Sequence, residues 1–148
     1  MSQKFIRNFF ITSGLLLLLC TLTVVVFDPF FQYHKPLPGL KAVLTDKEYQ
    51  CTGSLKTFDY DSVIAGSSVA ENYNNGWFDQ NFGCKSIKAI RSYGATADLC
   101  YLLDIAFAHK ELKYVFYNLD PSALSADPET TYALTGCPMY LYDDNYMN

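Results

Sequence analysis

The chain has 148 residues, of which 50% are hydrophobic, 16% aromatic and 18% charged, and its formal net charge at pH 7 is −4. This apolar content excludes a disordered chain. The acidic balance argues against a nucleic-acid partner, because nucleic-acid-binding surfaces usually carry an excess of Lys and Arg. The length is typical of one domain.

The first predicted element is a transmembrane signal anchor over residues 9–27, preceded by a short cytoplasmic tail, residues 1–8. No charge interrupts the 19 residues from Phe9 to Phe27, which approach the roughly 30 Å thickness of a hydrocarbon core as a helix. A cleaved signal peptide is the alternative, but its apolar region is shorter, about 7–15 residues, and ends at small residues. Because Lys4 and Arg7 precede the run, we expect the N-terminus in the cytoplasm and the remainder outside it.

Residues 28–58 are predicted to form a membrane-proximal linker. Three prolines and several aromatic residues between Asp28 and Gly39 prevent the helix from continuing. Such a composition favours an extended segment whose aromatic side chains lie at the membrane interface. We expect no catalytic role for His34, which lies in this segment.

The cysteines indicate an extracytoplasmic chain without a metal centre. Cys20 lies in the predicted span, and the other four, Cys51, Cys84, Cys100 and Cys137, lie where disulfides are permitted, in any of three pairings. Cys100 falls on an apolar helical stripe and is predicted to be a small core residue. Because the sequence has no Cys-x-x-Cys pair and no Cys/His cluster, we expect neither a metal nor another cofactor.

From residue 59 the pattern becomes that of an α/β domain. Residues 62–65, 85–90 and 113–119 read as strands, residues 69–80 as a short helix with a weak point at Asn74-Asn75-Gly76, and residues 96–110 as an amphipathic helix. Strands that alternate with helices through short connections predict a parallel sheet.

Polar or small residues follow each predicted strand, where parallel sheets bind ligands. Ser68 opens a helix, so it is either a nucleophile or the N-cap of the capping-box pattern Ser-Val-Ala-Glu. Gly94 is either a donor of a backbone N–H to substrate or an ordinary turn glycine. Asn118, two residues before Asp120, either donates to an oxyanion or satisfies the end of a strand.

Residues 61–72, Asp-Ser-Val-Ile-Ala-Gly-Ser-Ser-Val-Ala-Glu-Asn, resemble the first sequence block of the SGNH/GDSL-like hydrolases. They are most similar to a membrane-anchored bacterial branch, as are residues 28–34 and 140–145. The resemblance implies a three-layer, flavodoxin-like (SGNH-type) parallel sheet, of which residues 59–148 form an incomplete N-terminal part. It also implies that Ser68 is the nucleophile and that Gly94 and Asn118 contribute to the oxyanion hole, with Ser67 replacing the usual Asp of Gly-Asp-Ser.

The Asp-x-x-His motif that supplies the base in this family does not occur in the sequence. We therefore expect the chain to be an N-terminal fragment or truncated product that is inactive alone. One function class is an acyl hydrolase or O-acyltransferase acting on an acylated extracytoplasmic polysaccharide. The other is a non-catalytic membrane-anchored protein of the surface-polysaccharide apparatus, with envelope-assembly proteins as partners. A flavodoxin-like phosphate binder is a third class, although a glycine-rich phosphate loop is lacking.

Overall fold

The computed structural model of the chain describes residues 3–121, in which an N-terminal helix precedes a three-stranded parallel sheet. The helices are α1 (Gln3–Phe27), α2 (Lys47–Thr57), α3 (Ser68–Glu71), α4 (Asn75–Phe82) and α5 (Thr96–His109). The strands are β1 (Ser62–Gly66), β2 (Ser86–Ile90) and β3 (Tyr114–Tyr117). Cys137 and the motif at residues 140–145 lie outside the described residues.

Helix α1 is long and apolar enough to cross a membrane. It has 25 residues, and none of its most apolar 18-residue window is buried against the rest of the described structure. It begins at Gln3 rather than at Phe9, so it includes both basic residues of the predicted tail. The predicted N-terminal apolar helix is therefore confirmed, with an earlier start.

The sheet has the strand order β2-β1-β3, and both pairings are parallel. Successive side chains of the central strand β1 point to opposite faces of the sheet. On one face, Val63 and Ala65 join the core formed with α2 and α5. Ile64 lies in register with Phe116 of β3, whose ring packs 4.7 Å from that of Phe78 in α4. Helices therefore cover both faces, and the predicted α/β architecture with a parallel sheet is confirmed.

Most predicted elements occur close to their expected positions. The predicted helix over residues 69–80 is divided into α3 and α4 at its weak point, where the Asn74 side chain accepts a hydrogen bond from the N–H of Gly76 at 2.9 Å. Helix α5 buries Leu99, Leu102 and Ala106, as its periodicity predicts. Cys100 is exposed, so its predicted core position is wrong; it lies one residue after Leu99 and therefore outside the buried stripe.

Helix α2 lies within the segment predicted to be a linker. Its residues Cys51 and Leu55 belong to the hydrophobic core, so the packed α/β unit includes residues before the predicted start at Asp59. The residues between α1 and α2 are also packed: a Cβ at Gly53 would lie 2.7 Å from the Phe31 carbonyl oxygen. Residues 30–31 therefore lie directly on α2, and this close approach is possible because position 53 is a glycine, which has no side chain.

A turn closed by Asp28 connects α1 to this packed segment. The Asp28 carboxylate is buried and accepts hydrogen bonds from the backbone N–H groups of Gln32, Tyr33 and His34 at 3.0, 2.7 and 2.9 Å. An Nε2 of the His34 ring lies 3.1 Å from the Val25 carbonyl oxygen, so the segment folds back beside the last turn of α1. These contacts replace the predicted extended linker with a defined structure.

A buried ion pair joins α2 to the end of β2. Arg91 follows β2 and is fully buried, and its Nη1 lies 2.6 Å from Oε2 of Glu48 in the first turn of α2. The other Glu48 oxygen accepts the backbone N–H of Ser92 at 3.3 Å. Since a buried cation is costly without a counter-charge, this pair fixes the first turn of α2 against the loop after β2.

We predict that Arg91→Met lowers the free energy of unfolding by roughly 3–5 kcal/mol, because it removes the cation beside a nearly buried carboxylate. Lys35→Met is the control, since the Lys35–Asp59 pair is exposed and exposed pairs contribute little. Urea unfolding followed by near-ultraviolet circular dichroism measures both variants in micelles. Equal unfolding midpoints for the two variants would contradict the prediction.

Candidate functional site at the carboxyl edge of the sheet

The loops that follow all three strands lie at one edge of the sheet. The Arg91 N–H donates to the Gly66 carbonyl at 3.2 Å, and the Asn118 N–H donates to the Ala65 carbonyl at 2.8 Å. Both neighbouring loops therefore begin beside the end of β1. The crevice between β1 and β3 is the point at which open sheets of this strand order bind ligands.

Ser67, and not Ser68, caps the helix that follows β1. The Ser67 hydroxyl accepts a hydrogen bond from the Val69 N–H at 3.3 Å, and the backbone of Ser67 is extended, as N-cap residues require. Ser68 is the first residue of α3 and is exposed. Its hydroxyl makes no hydrogen bond to another residue between 3 and 121. The capping alternative for Ser68 is therefore wrong, and Ser68 is an exposed residue at the start of α3.

Asn118 belongs to a hydrogen-bonded network that spans the β1/β3 crevice. Its Oδ1 accepts a hydrogen bond from the Tyr73 hydroxyl at 2.5 Å, and its Nδ2 donates to Oδ1 of Asp120 at 3.0 Å. The second oxygen of Asp120 accepts a hydrogen bond from the Ser67 hydroxyl. Because an amide nitrogen carries two hydrogens, Asn118 retains one donor that no described side chain occupies.

Gly94 has a turn role in the structure. Its N–H donates to the Arg91 carbonyl at 3.0 Å, and a Cβ at this position would lie 2.9 Å from the Cβ of Arg91. The N–H that the resemblance gives to the oxyanion hole is therefore used within the loop. The structure brings Ser67, Asn118 and Asp120 together, and it places Gly94 against the buried Arg91.

A cleft of about 320 Å³ adjoins Asn118. Four aromatic side chains and this amide form its lining: Tyr73, Phe78, Phe116, Tyr117 and Asn118. Burial raises the pKa of the Tyr117 phenol above its ordinary value, although a hydrogen bond with Thr96 opposes the shift. Tyr117 is consequently a neutral group at physiological pH, and the cleft presents ring faces beside a polar edge.

The two histidines of the chain are engaged away from Ser68. His109 Nδ1 lies 2.9 Å from the Ile105 carbonyl, and the ring nitrogens of His34 contact the carbonyls of Val25 and Lys35. Between residues 3 and 121, no three His, Cys, Asp or Glu side chains are grouped to hold a metal ion. The described site therefore offers hydroxyl, amide and carboxylate groups.

Comparison of the chain with protein-family models, with curated proteins and with solved structures finds no match. The similarity to SGNH/GDSL-like hydrolases consequently depends on the residues quoted above. The sequence did not identify Tyr73 as a site residue, because it lies in residues 69–80, where the pattern predicted only a helix. Asp120 was visible as a polar residue after a strand, but its contact with Ser67 depends on the pairing of β1 with β3.

We predict that Ser67→Ala lowers the free energy of unfolding by about 0.5–2 kcal/mol, because it removes the cap of α3. Ser68→Ala should leave the free energy of unfolding nearly unchanged, since the Ser68 hydroxyl is exposed. Thermal unfolding of the two neighbouring variants provides the measurement. The assignment of the cap fails if Ser68→Ala is the more destabilising change.

Proposed function

We propose that the chain is a membrane-anchored SGNH/GDSL-like acyl hydrolase or O-acyltransferase that acts on carbohydrate outside the cytoplasm. One observation carries this proposal: the exposed Ser68 hydroxyl follows the central strand, and the Asn118 amide lies at the neighbouring strand end. In acyl transfer, a serine attacks the ester carbonyl, and a fixed N–H donor stabilises the oxygen that becomes negative. Ser68 and Asn118 are the residue types that these two roles require.

The cleft beside Asn118 supports carbohydrate as the substrate class. A sugar ring has apolar C–H faces and polar hydroxyl edges, so it matches a lining of aromatic rings around one amide. The described residues that line the cleft include no Lys or Arg, so the cleft offers no cation to a phosphate group. A neutral acylated sugar therefore suits the site better than the ligand of a flavodoxin-like phosphate binder.

The N-terminal helix supports a location at the membrane. Lys4 and Arg7 are the charged residues before the apolar run, so the positive-inside rule assigns the N-terminus to the cytoplasm and the α/β unit to the opposite side. This orientation gives the carboxyl edge access to polymers of the cell surface.

The base that would activate Ser68 is not an imidazole of residues 3–121, since both histidines of the chain are engaged elsewhere. We therefore propose that the base is supplied by a residue outside the described part. The same observation, together with the turn role of Gly94, favours a second candidate. In that candidate, the chain is a non-catalytic membrane-anchored protein that binds the polysaccharide without adding or removing acyl groups.

We predict that Ser68 is acylated by an aryl acetate faster than Ser92, which lies at the same edge in the loop after β2. An aryl acetate is an activated ester whose leaving group departs without a general acid, so slow acylation can be followed in the full chain in micelles, with the serine proton passing to solvent. Asn118→Ala should slow acylation of Ser68 by roughly 100-fold, the usual loss for one oxyanion donor. Peptide mass spectrometry measures acetylation at both serines over time.

Binding of an O-acetylated oligosaccharide, followed by saturation-transfer NMR, separates the two candidates. Acylation of Ser68 no faster than that of Ser92, with the oligosaccharide still bound, would favour the non-catalytic candidate. If Ser68 is acylated no faster than Ser92 and the oligosaccharide does not bind, both candidates are overturned. Ser92→Ala is the matched control for binding, because the Ser92 contact with Glu48 uses its backbone N–H and is kept by alanine.

A further inference from the structure

The segment between α1 and α2 exposes a cluster of apolar side chains near the end of α1. Their exposed fractions range from 43% for Phe30 to 68% for Tyr33. The members are Phe30, Tyr33, Leu40, Val43 and Leu44, and they are termed the membrane-proximal cluster. Side chains of this kind are normally buried or bound when several lie together on a surface.

The side chain of Gln50 brings the two halves of this cluster together. Its Nε2 donates to the backbone carbonyl of Pro29 at 2.9 Å and to that of Val43 at 3.1 Å. Val43 therefore lies beside Pro29, two residues after the end of α1, although the two positions are far apart in sequence. His34 lies beside the last turn of α1, so Tyr33 is close to the point at which the chain leaves that helix.

We propose that the membrane-proximal cluster inserts into the headgroup region of the phospholipid bilayer that α1 enters. The occupant is a lipid surface because the cluster directly follows α1, whose most apolar 18-residue window is nowhere buried against the rest of the described structure. Tyr and Phe are suited to the interface, and the exposed Lys41 within the same segment can extend its amine toward lipid phosphates.

The insertion would give the α/β unit a second attachment to the membrane. Residues 30–31 contact α2 directly through Gly53, so an inserted segment holds α2, and with it the sheet, in one orientation. The inference rests on α1 crossing a membrane and is independent of any acyl chemistry at Ser68. A failure here would leave the proposed activity at the carboxyl edge unaffected.

The single native tryptophan provides an internal control. Trp77 is exposed in α4, on the face of the sheet opposite α2, and does not belong to the membrane-proximal cluster. The sample is the full chain in vesicles of phosphatidylcholine and phosphatidylglycerol, with or without bromine on the acyl chains near the headgroups. Val43→Trp, made together with Trp77→Phe, reports on the cluster, and the unaltered chain reports on α4.

We expect brominated lipid to lower the fluorescence of the indole at position 43 by at least about half, since interfacial side chains lie about 5–10 Å into the headgroup and acyl boundary. The fluorescence of Trp77 in the unaltered chain should fall much less when brominated lipid is present. Leu40→Trp in the same background should respond like Val43→Trp, and near-ultraviolet circular dichroism checks that each variant is folded. Quenching at positions 40 and 43 no stronger than that of Trp77 would overturn the proposal.

Discussion

The Arg91 guanidinium lies fully buried at the end of β2, and a cation in that position requires a counter-charge within contact distance. Glu48 supplies it from the first turn of α2, and the same carboxylate holds the backbone of Ser92. Because Arg91 also donates its N–H to Gly66, one residue joins α2, the loop after β2 and the end of the central strand. The geometry of the carboxyl edge depends on this connection.

The candidate site depends in turn on the strand order. Since β1 lies between β2 and β3, the residues that follow β1 meet the residues that follow β3 across one crevice. Ser67 thereby reaches Asp120, and Asn118 lies between Asp120 and Tyr73. Ser67 caps α3, and the next residue, Ser68, is exposed. The structural role of the cap therefore belongs to a different serine from the chemical role proposed for Ser68.

The sequence predicts the elements whose patterns are local. A continuous apolar run locates β1, which is buried on both faces, whereas alternation locates β2 and helical periodicity locates α5. Helix α2 escapes this reasoning: its buried residues include Gln50, Thr52 and Ser54, which are satisfied by contacts that residues 28–34 or the helix backbone provide. Cys100 was assigned to the core from an approximate stripe, and the Tyr73–Asn118 contact follows only from tertiary packing. Contacts between residues far apart in the chain leave no repeating pattern in the sequence from which they could be predicted.

Helix α2 is held on both sides, by residues 30–31 where Gly53 permits close approach and by the core that contains Leu55. A flexible linker would let the α/β unit rotate independently of α1, but the packed segment, which also contacts the last turn of α1 through His34, couples the two. The tilt of a single transmembrane helix changes with the difference between its apolar length and the thickness of the bilayer. If α1 spans a bilayer as proposed, the direction in which the β1/β3 crevice opens would depend on bilayer thickness, so a thinner or thicker membrane would present the same site at a different angle.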